Sequence, residues 1–253
     1  ANFRNSDMRR CDLSGSHLNG ADLRGANLEK SAVDGAIFAG ADLEGAKLEG
    51  VDLREANLQG ARLFKDQDSY SKEVKDAFQQ HALWIESDGR KGERLNLKGA
   101  DMSRIDLRGA NLSAGSLKDC IMEGANLEGA RMVMTDLSGA RLTGARLVKA
   151  NLNGANLTDA VLNGADMRGA SLDPVELLGP GGKPTGRHWS ASLAGAMLQK
   201  ANLAYIRMRR CNLVDTDFTN SNLAKADLRG ARIDDTIFTG AIVKDAKIPK
   251  AEE

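Results

Sequence analysis

A period of five residues runs through most of this 253-residue chain. It is plain in the segments ADLRG at 21–25 and ANLEK at 26–30, where a large apolar residue occupies the third place of each unit. A small residue, usually alanine, stands two places before each large one. Such a period fits neither a helix of 3.6 residues per turn nor the two-residue alternation of a strand. It indicates a repeat architecture in which each unit packs only on its neighbours.

The period keeps its register over three repeat blocks, 1–65, 95–174 and 191–250, which together hold 41 large residues at five-residue spacing. Two insertions, 66–94 and 175–190, interrupt it. We expect one solenoid domain over 1–253, because a stack of such units has a continuous core. The first residue is Ala1 and the repeat is already in phase at Phe3, so the sequence leaves open whether the N-terminus is trimmed and a cap removed.

The composition of each unit predicts which side chains point inward. The large residue and the small residue two places earlier form the core, while the other three positions carry mostly polar residues. Twenty of the 27 glycines fall two places after a large residue, where a type II turn needs a positive φ. The predicted core is represented by Leu23, Leu28, Leu43, Leu107, Leu127, Leu152, Leu203 and Leu228.

The pattern A-(D/N)-L-x-G, present in all three blocks, resembles that of the pentapeptide-repeat proteins. The resemblance implies an all-β fold, a right-handed quadrilateral β-helix with four units per coil. It also implies about ten coils, in a rod on the order of 50 Å long at the usual strand spacing. Residues 20 positions apart would then lie on adjacent coils.

The insertion 66–94 carries the pattern of a short amphipathic helix, with Ser69 or Ser71 as its N-cap and an end near 84–86. The apolar stripe consists of Val74, Ala77, Phe78, His81 and Ile85. One interpretation is a helix that packs on the solenoid and buries Phe78 and Trp84. The other is a projecting arm that binds a partner.

The insertion 175–190 is rich in proline and glycine and is predicted to be a loop. Its Gly182-Lys183 pair lacks the Ser or Thr and the first Gly of a phosphate-binding loop, so no nucleotide cofactor is expected. Tryptophan and arginine are favoured interface residues, but they can equally seal an interrupted solenoid. The candidate partner-binding residues of the two insertions are Trp84, Arg187, His188 and Trp189.

The three cysteines, Cys11, Cys120 and Cys211, all stand at the small inward position. We expect them to be unpaired core thiols, which suit a reducing cytoplasm. Apolar residues never run far enough to span a membrane, and no signal peptide is visible.

The chain has 35 basic and 35 acidic residues and a net charge of zero. Stacking at a spacing of 20 predicts neutral charge pairs between coils: Arg9 with Glu29, Arg24 with Glu44, and Asp34 with Arg54. The best candidates for a basic functional surface are Arg209, Arg210 and Arg229.

No residue constellation predicts catalysis or a metal site, because the three histidines lie in separate segments and no Cys/His cluster has ligand spacing. We therefore expect a non-catalytic scaffold or protein-interaction module with an unidentified protein partner. The alternative is a DNA mimic that protects a type II topoisomerase, like the quinolone-resistance (Qnr) branch that the repeats resemble. Mimicry needs a strongly acidic surface, which this neutral chain lacks. Aromatic residues make up 4% of the chain and no basic stripe is evident, so direct nucleic-acid binding is not expected. The oligomeric state stays open.

Overall fold

The computed structural model describes residues 1–48, 50–53, 55–59, 61 and 70–249. The expectations for Arg54, for Ser69 and for the last four residues lie outside these ranges. The described residues form two compact units, one within Ala1–Ser69 and one within Tyr70–Glu253. No helix among the described residues is long and apolar enough to cross a membrane.

Both units are built from parallel backbone pairs between residues 20 positions apart. In the second unit Asn96 pairs with Ser116, which pairs in turn with Asp136. The N–H of Leu117 donates to the carbonyl of Asp136 over 2.7 Å, and similar bonds repeat at every unit. The first unit shows the same spacing from Asn2–Asp22 to Ile37–Asn57. The fold is therefore an all-β solenoid in which four five-residue units return the chain to the same face.

Each unit ends at a corner whose residue has a positive φ, as the glycine pattern predicts: φ is 66° at Gly25. The same conformation occurs where the corner residue is not glycine, for example at Tyr205 (62°) and Arg210 (54°). Such a residue in the left-handed region costs about 1–2 kcal/mol. The backbone bonds between stacked coils hold the corner in place despite that cost.

The core runs through the middle of each unit. The eight leucines named above have exposed fractions between 0% and 9%, and the alanines two places earlier are buried beside many of them. Cys120 and Cys211 lie in this core as free thiols. Cys11 is also free but exposed, so the expectation of a buried thiol is wrong there. It lies on the first described coil, which pairs with the next coil on one side only.

The helix predicted in the first insertion is present as α1, Lys72–Glu86, with Ser71 as its N-cap. α1 packs on the coils of the second unit, and its buried residues are Val74 and His81. Phe78 packs on the same core but is only partly buried, as is Trp84. The packing interpretation therefore describes α1, although its buried residues differ from those expected.

The second insertion is not a loop, as the sequence led us to expect, but an antiparallel β-hairpin. Its strands are β1, Val175–Leu178, and β2, Pro184–Trp189, joined by a single 3-10 turn at Pro180–Gly182. The proline and glycine residues form the tip, where Gly181 and Gly182 have positive φ values. Two extended segments on either side of this turn can pair with each other, which composition alone did not reveal.

The hairpin leaves the stack of coils unbroken. Across it Asn156 pairs with Ser192 and Val161 pairs with Met197, so the spacing rises from 20 to 36 residues. The difference equals the 16 residues of the insertion 175–190. The hairpin therefore leaves the solenoid at one corner and returns to it in phase.

Candidate functional site

An open cleft of about 520 Å³ lies beside the hairpin. The residues that line it are Asp173, Pro174, Glu176, His188, Arg209, Arg210, Arg229 and Gly230. They come from the hairpin on one side and from the following coils on the other. This arrangement places His188 next to the three arginines that the sequence singles out as basic candidates.

The two faces of the hairpin have different surroundings. Val175 pairs with Trp189, and Glu176 pairs with His188, and successive pairs of a hairpin point to opposite faces. Trp189 lies against the coil corner at Gly154, and its indole Nε1–H donates to the Gly154 carbonyl over 3.1 Å. The other face, with Glu176 and His188, lines the cleft.

Asp173 anchors the wall of the cleft. Its carboxylate is buried and accepts hydrogen bonds from Arg209 Nε (2.9 Å), Arg209 Nη2 (2.7 Å) and Arg207 Nε (3.1 Å). Its backbone N–H donates to Asn153 Oδ1 over 2.9 Å. Burial alone would raise the pKa of Asp173, but the bonds from Arg209 and Arg207 together lower it below its ordinary value. The carboxylate therefore stays ionised and fixes both guanidinium groups.

A second carboxylate holds Arg229 in the same way. Arg229 Nε and Nη2 donate to the two oxygens of Asp227 over 2.8 and 2.7 Å. These bonds from Arg229 lower the pKa of Asp227 to about 2. Arg210, by contrast, is exposed and has no ion-pair partner among the described residues. The cleft thus contains two braced arginines and one free arginine.

Asp173 and Glu176 are cleft residues that the sequence reasoning missed. A spacing of 20 would place Asp173 beside Leu193, which is a core position. Because the hairpin adds 16 residues, Asp173 instead lies beside Arg209, 36 positions later. The signal was present in the repeat phase, which continues unchanged after the insertion.

The predicted partner-binding residues lie in two places. Trp189 is 51% exposed, and every residue of β2, including Arg187 and His188, is exposed. Trp84 is part of a local cluster at the end of α1, where it stacks on His81 at 5.8 Å between ring centroids and Arg94 lies over it at 6.0 Å. The structure therefore brings His188 and the basic candidates together, while Trp84 does not line the cleft.

Surface charges pair mainly within a unit, which the stacking argument did not anticipate. Arg9 forms its ion pair with Asp7 at 2.7 Å, and Arg108 pairs in the same way with Asp106. These partners flank one large residue and lie two positions apart on one extended segment, so they share a face. Arg24 also approaches Asp42 of the next coil at 3.7 Å.

The described residues contain no group of three or more His, Cys, Asp or Glu side chains that could hold a metal ion. The cleft offers hydrogen-bond donors from arginine and one imidazole. Its chemistry is that of binding an acceptor group.

The five-residue geometry and its corners define the family. The family model described as pentapeptide repeats (8 copies) matches residues 1–32, 36–63, 93–129, 135–173 and 211–247. The chain belongs to the pentapeptide-repeat family. No curated protein matches it at a significant level.

Several solved pentapeptide-repeat structures are similar to this family member. HetL, involved in heterocyst differentiation regulation in the cyanobacterium Nostoc sp. strain PCC 7120, shares 28% identity over 96% of this chain and 89% of its own, with a TM-score of 0.35. Rfr23 from the cyanobacterium Cyanothece 51142 shares 21% identity over 60% of this chain and 89% of its own, with a TM-score of 0.25. Full-length QnrB1, a plasmid-mediated fluoroquinolone resistance protein, shares 19% identity over 97% of this chain and 94% of its own, with a TM-score of 0.22. With TM-scores below 0.5, these likenesses carry no argument about function.

Proposed function

We propose that this pentapeptide-repeat protein is a non-catalytic protein-interaction module whose docking element is the hairpin 175–190. The observation that carries the proposal is the continuity of the stack across the hairpin, where Asn156 pairs directly with Ser192. Since the coils pair without it, the hairpin is not needed to complete the solenoid. An ordered element that the fold does not require is a good candidate for a functional one.

The surface of the hairpin suits protein binding. Trp189 is 51% exposed and Leu178 is 63% exposed, and Met134 at a nearby corner is 41% exposed. Exposed aromatic and apolar side chains next to arginine residues are typical of interface centres. The hydrogen bond from Trp189 to Gly154 holds the indole in one orientation, which reduces the entropy lost on binding.

The solenoid supplies a rigid base for this element. We infer a right-handed quadrilateral β-helix of about ten coils, at the strand spacing of 4.8 Å that stacked parallel strands adopt. Because each corner is fixed by bonds to the next coil, the hairpin and the cleft beside it keep a constant geometry.

The proposal is tested by affinity capture from a lysate of the source organism with three forms of the protein. These are the intact chain, a variant that lacks 175–190 and joins Pro174 to Ala191, and Trp189→Ala. The join keeps the five-residue phase, so all three should show the same β-rich circular dichroism spectrum. We expect a protein that the intact chain retains and that both variants lose.

Trp84→Ala serves as the matched control, because it removes the other tryptophan without changing the hairpin. It should retain the captured protein. Equal capture by the intact chain and the hairpin deletion would contradict the proposal and show that the hairpin is not the docking element.

A further inference from the structure

The arginines of the cleft keep unused hydrogen-bond donors. A guanidinium has five N–H groups in one plane. Arg209 and Arg229 each use Nε and Nη2 to bind a carboxylate, and the Nη1 group of each has no recorded partner among the described residues. The carboxylates orient the two planes without consuming all of their donors. Such pre-oriented donors are suited to a second acceptor group.

Arg210 adds a cation that no described carboxylate neutralises. It occupies a coil corner, and the next residue of that corner column is Gly230. A Cβ atom added to Gly230 would lie 3.3 Å from Arg210 Cγ, so the arginine side chain runs across the space that the glycine leaves empty. The floor of the cleft is therefore both free of a side chain and positively charged.

The charge count of the cleft favours an anionic ligand. Its four arginines, with Arg207 included behind Asp173, face the three carboxylates of Asp173, Glu176 and Asp227. Lys247 pairs along the backbone with Asp227 on the next coil and adds another positive charge. A local positive excess on a chain of zero net charge attracts acidic groups to this place specifically.

We propose that the cleft binds an acidic peptide segment of a partner protein, with one carboxylate or phosphate group held between Arg210 and the free edges of Arg209 and Arg229. The proposal rests on the interaction role of the hairpin and names the chemistry that this role recognises. The volume of about 520 Å³ exceeds that of a single oxyanion and suits a short stretch of chain. Pro174 and Gly230 leave room for a peptide backbone, and the His188 imidazole adds a hydrogen-bonding group opposite the arginines.

Fluorescence anisotropy with labelled peptides tests this assignment on the full chain. The probes are a hexaglutamate peptide, a peptide of equal charge that carries phosphoserines, and a neutral hexaglutamine peptide. We expect one or both acidic peptides to bind, with an affinity that falls as salt rises, and the neutral peptide not to bind. The two acidic arms distinguish a carboxylate from a phosphate as the bound group.

The deciding variants are Arg210→Gln and Arg229→Gln, with Arg131→Gln as the charge-matched control. Arg131 lies on the same face three pairing steps before Arg207, roughly 14 Å away at the strand spacing, beyond the hairpin. We expect Arg210→Gln and Arg229→Gln each to weaken acidic-peptide binding at least tenfold, and Arg131→Gln to change it less than twofold. Unchanged melting temperatures would show that all three variants are folded.

Equal loss in all three variants would mean diffuse electrostatics and would overturn the assignment. So would failure of both acidic peptides to bind, or tighter binding of a single-stranded oligonucleotide of the same charge. The outcome is separable from that of the interaction role. If Arg210→Gln still captures the hairpin-dependent partner while no acidic peptide binds, the docking function stands and the cleft assignment fails.

Discussion

The backbone N–H of Leu95 donates a hydrogen bond of 3.0 Å to Nδ1 of His81. His81 belongs to α1 and Leu95 begins the coils of the second unit, so this bond joins the helix to the solenoid at the end that the helix covers. Because Nδ1 accepts, the neutral ring carries its proton on Nε2. That Nε2 is buried and has no hydrogen-bond partner among the described residues.

This geometry makes the attachment of α1 dependent on pH. Burial lowers the pKa of His81 below its ordinary value of 6.5. The unfolded chain then binds a proton that the folded chain does not, so stability falls as the pH drops below 6.5. The loss continues until the folded pKa is reached, at up to about 1.4 kcal/mol for each pH unit.

Hydrogen exchange of α1 and thermal melts at pH 7.5 and 5.5 would measure this effect. His81→Asn keeps an acceptor for Leu95 and cannot titrate, so its α1 should exchange at similar rates at both values after correction for intrinsic exchange. An equally large pH effect in wild type and variant would assign the sensitivity to other groups.

Neighbouring residues of one unit should differ sharply in their tolerance of substitution. Leu127 is completely buried, whereas Glu128 is exposed enough to reach Arg146 at 3.3 Å. Leu127→Asp should destabilise the second unit by more than about 4 kcal/mol, because an unpaired charge would enter the core. Glu128→Gln should change stability by less than about 1 kcal/mol, the usual size of a surface ion pair. Urea titrations of the two variants compare the effects, and similar midpoints would contradict the inward and outward positions.

The packing of the hairpin on its corner can be separated from the strain of the corner itself. Gly144 and Gly154 both have φ of 65°, but a Cβ at Gly144 meets nothing within 4 Å. A Cβ at Gly154 would lie 3.1 Å from Trp189 Cδ1 and 3.1 Å from Val175 Cγ2. Gly144→Ala should therefore cost about 1–2 kcal/mol from the left-handed backbone alone. Gly154→Ala should cost more, because it also displaces the hairpin.

The excess cost of Gly154→Ala should disappear when both substitutions are repeated in the chain that lacks 175–190. Melting temperatures of the four variants give this comparison directly. An excess that persists without the hairpin would mean that the contact with Trp189 and Val175 is not its cause.

The three cysteines should react differently with thiol reagents. Burial raises the pKa of Cys120 to about 11 and that of Cys211 to about 12, and both side chains are fully covered. Cys11 is exposed. At pH 8 an aromatic disulfide reagent should modify one thiol per native chain and all three in denaturant. Cys11→Ser should abolish the native reaction, and rapid labelling of that variant would show that a core thiol is accessible.

The coils could be read from the sequence because each unit decides its own conformation. A large residue, a small residue and a corner glycine recur every five positions, and each unit needs only its neighbours to bury its side chains. Thus Leu127 and Leu203 lie in the core as their positions predict. The helix α1 could also be predicted, since its cap and apolar stripe are local features.

The cleft could be predicted only in part. Arg209, Arg210 and Arg229 stood out as basic residues, but their neighbours depend on how the chain closes after the insertion. Asp173 reaches Arg209 because the hairpin leaves and rejoins the stack in phase, a long-range relation that local composition does not encode. The exposure of Cys11 likewise depends on which coils surround it and not on its inward position.

By itself, then, the sequence determined the repeating coil, its corners and its core, since these follow from interactions within and between adjacent units. Only the tertiary structure decided that 175–190 pairs as a hairpin, that Trp189 lies on Gly154, and that Arg210 remains without a carboxylate partner among the described residues. The physical reason is the range of the interactions. The coil is specified by contacts that recur every 5 and 20 residues, whereas the hairpin contacts and the cleft join residues about 35 positions apart and occur once.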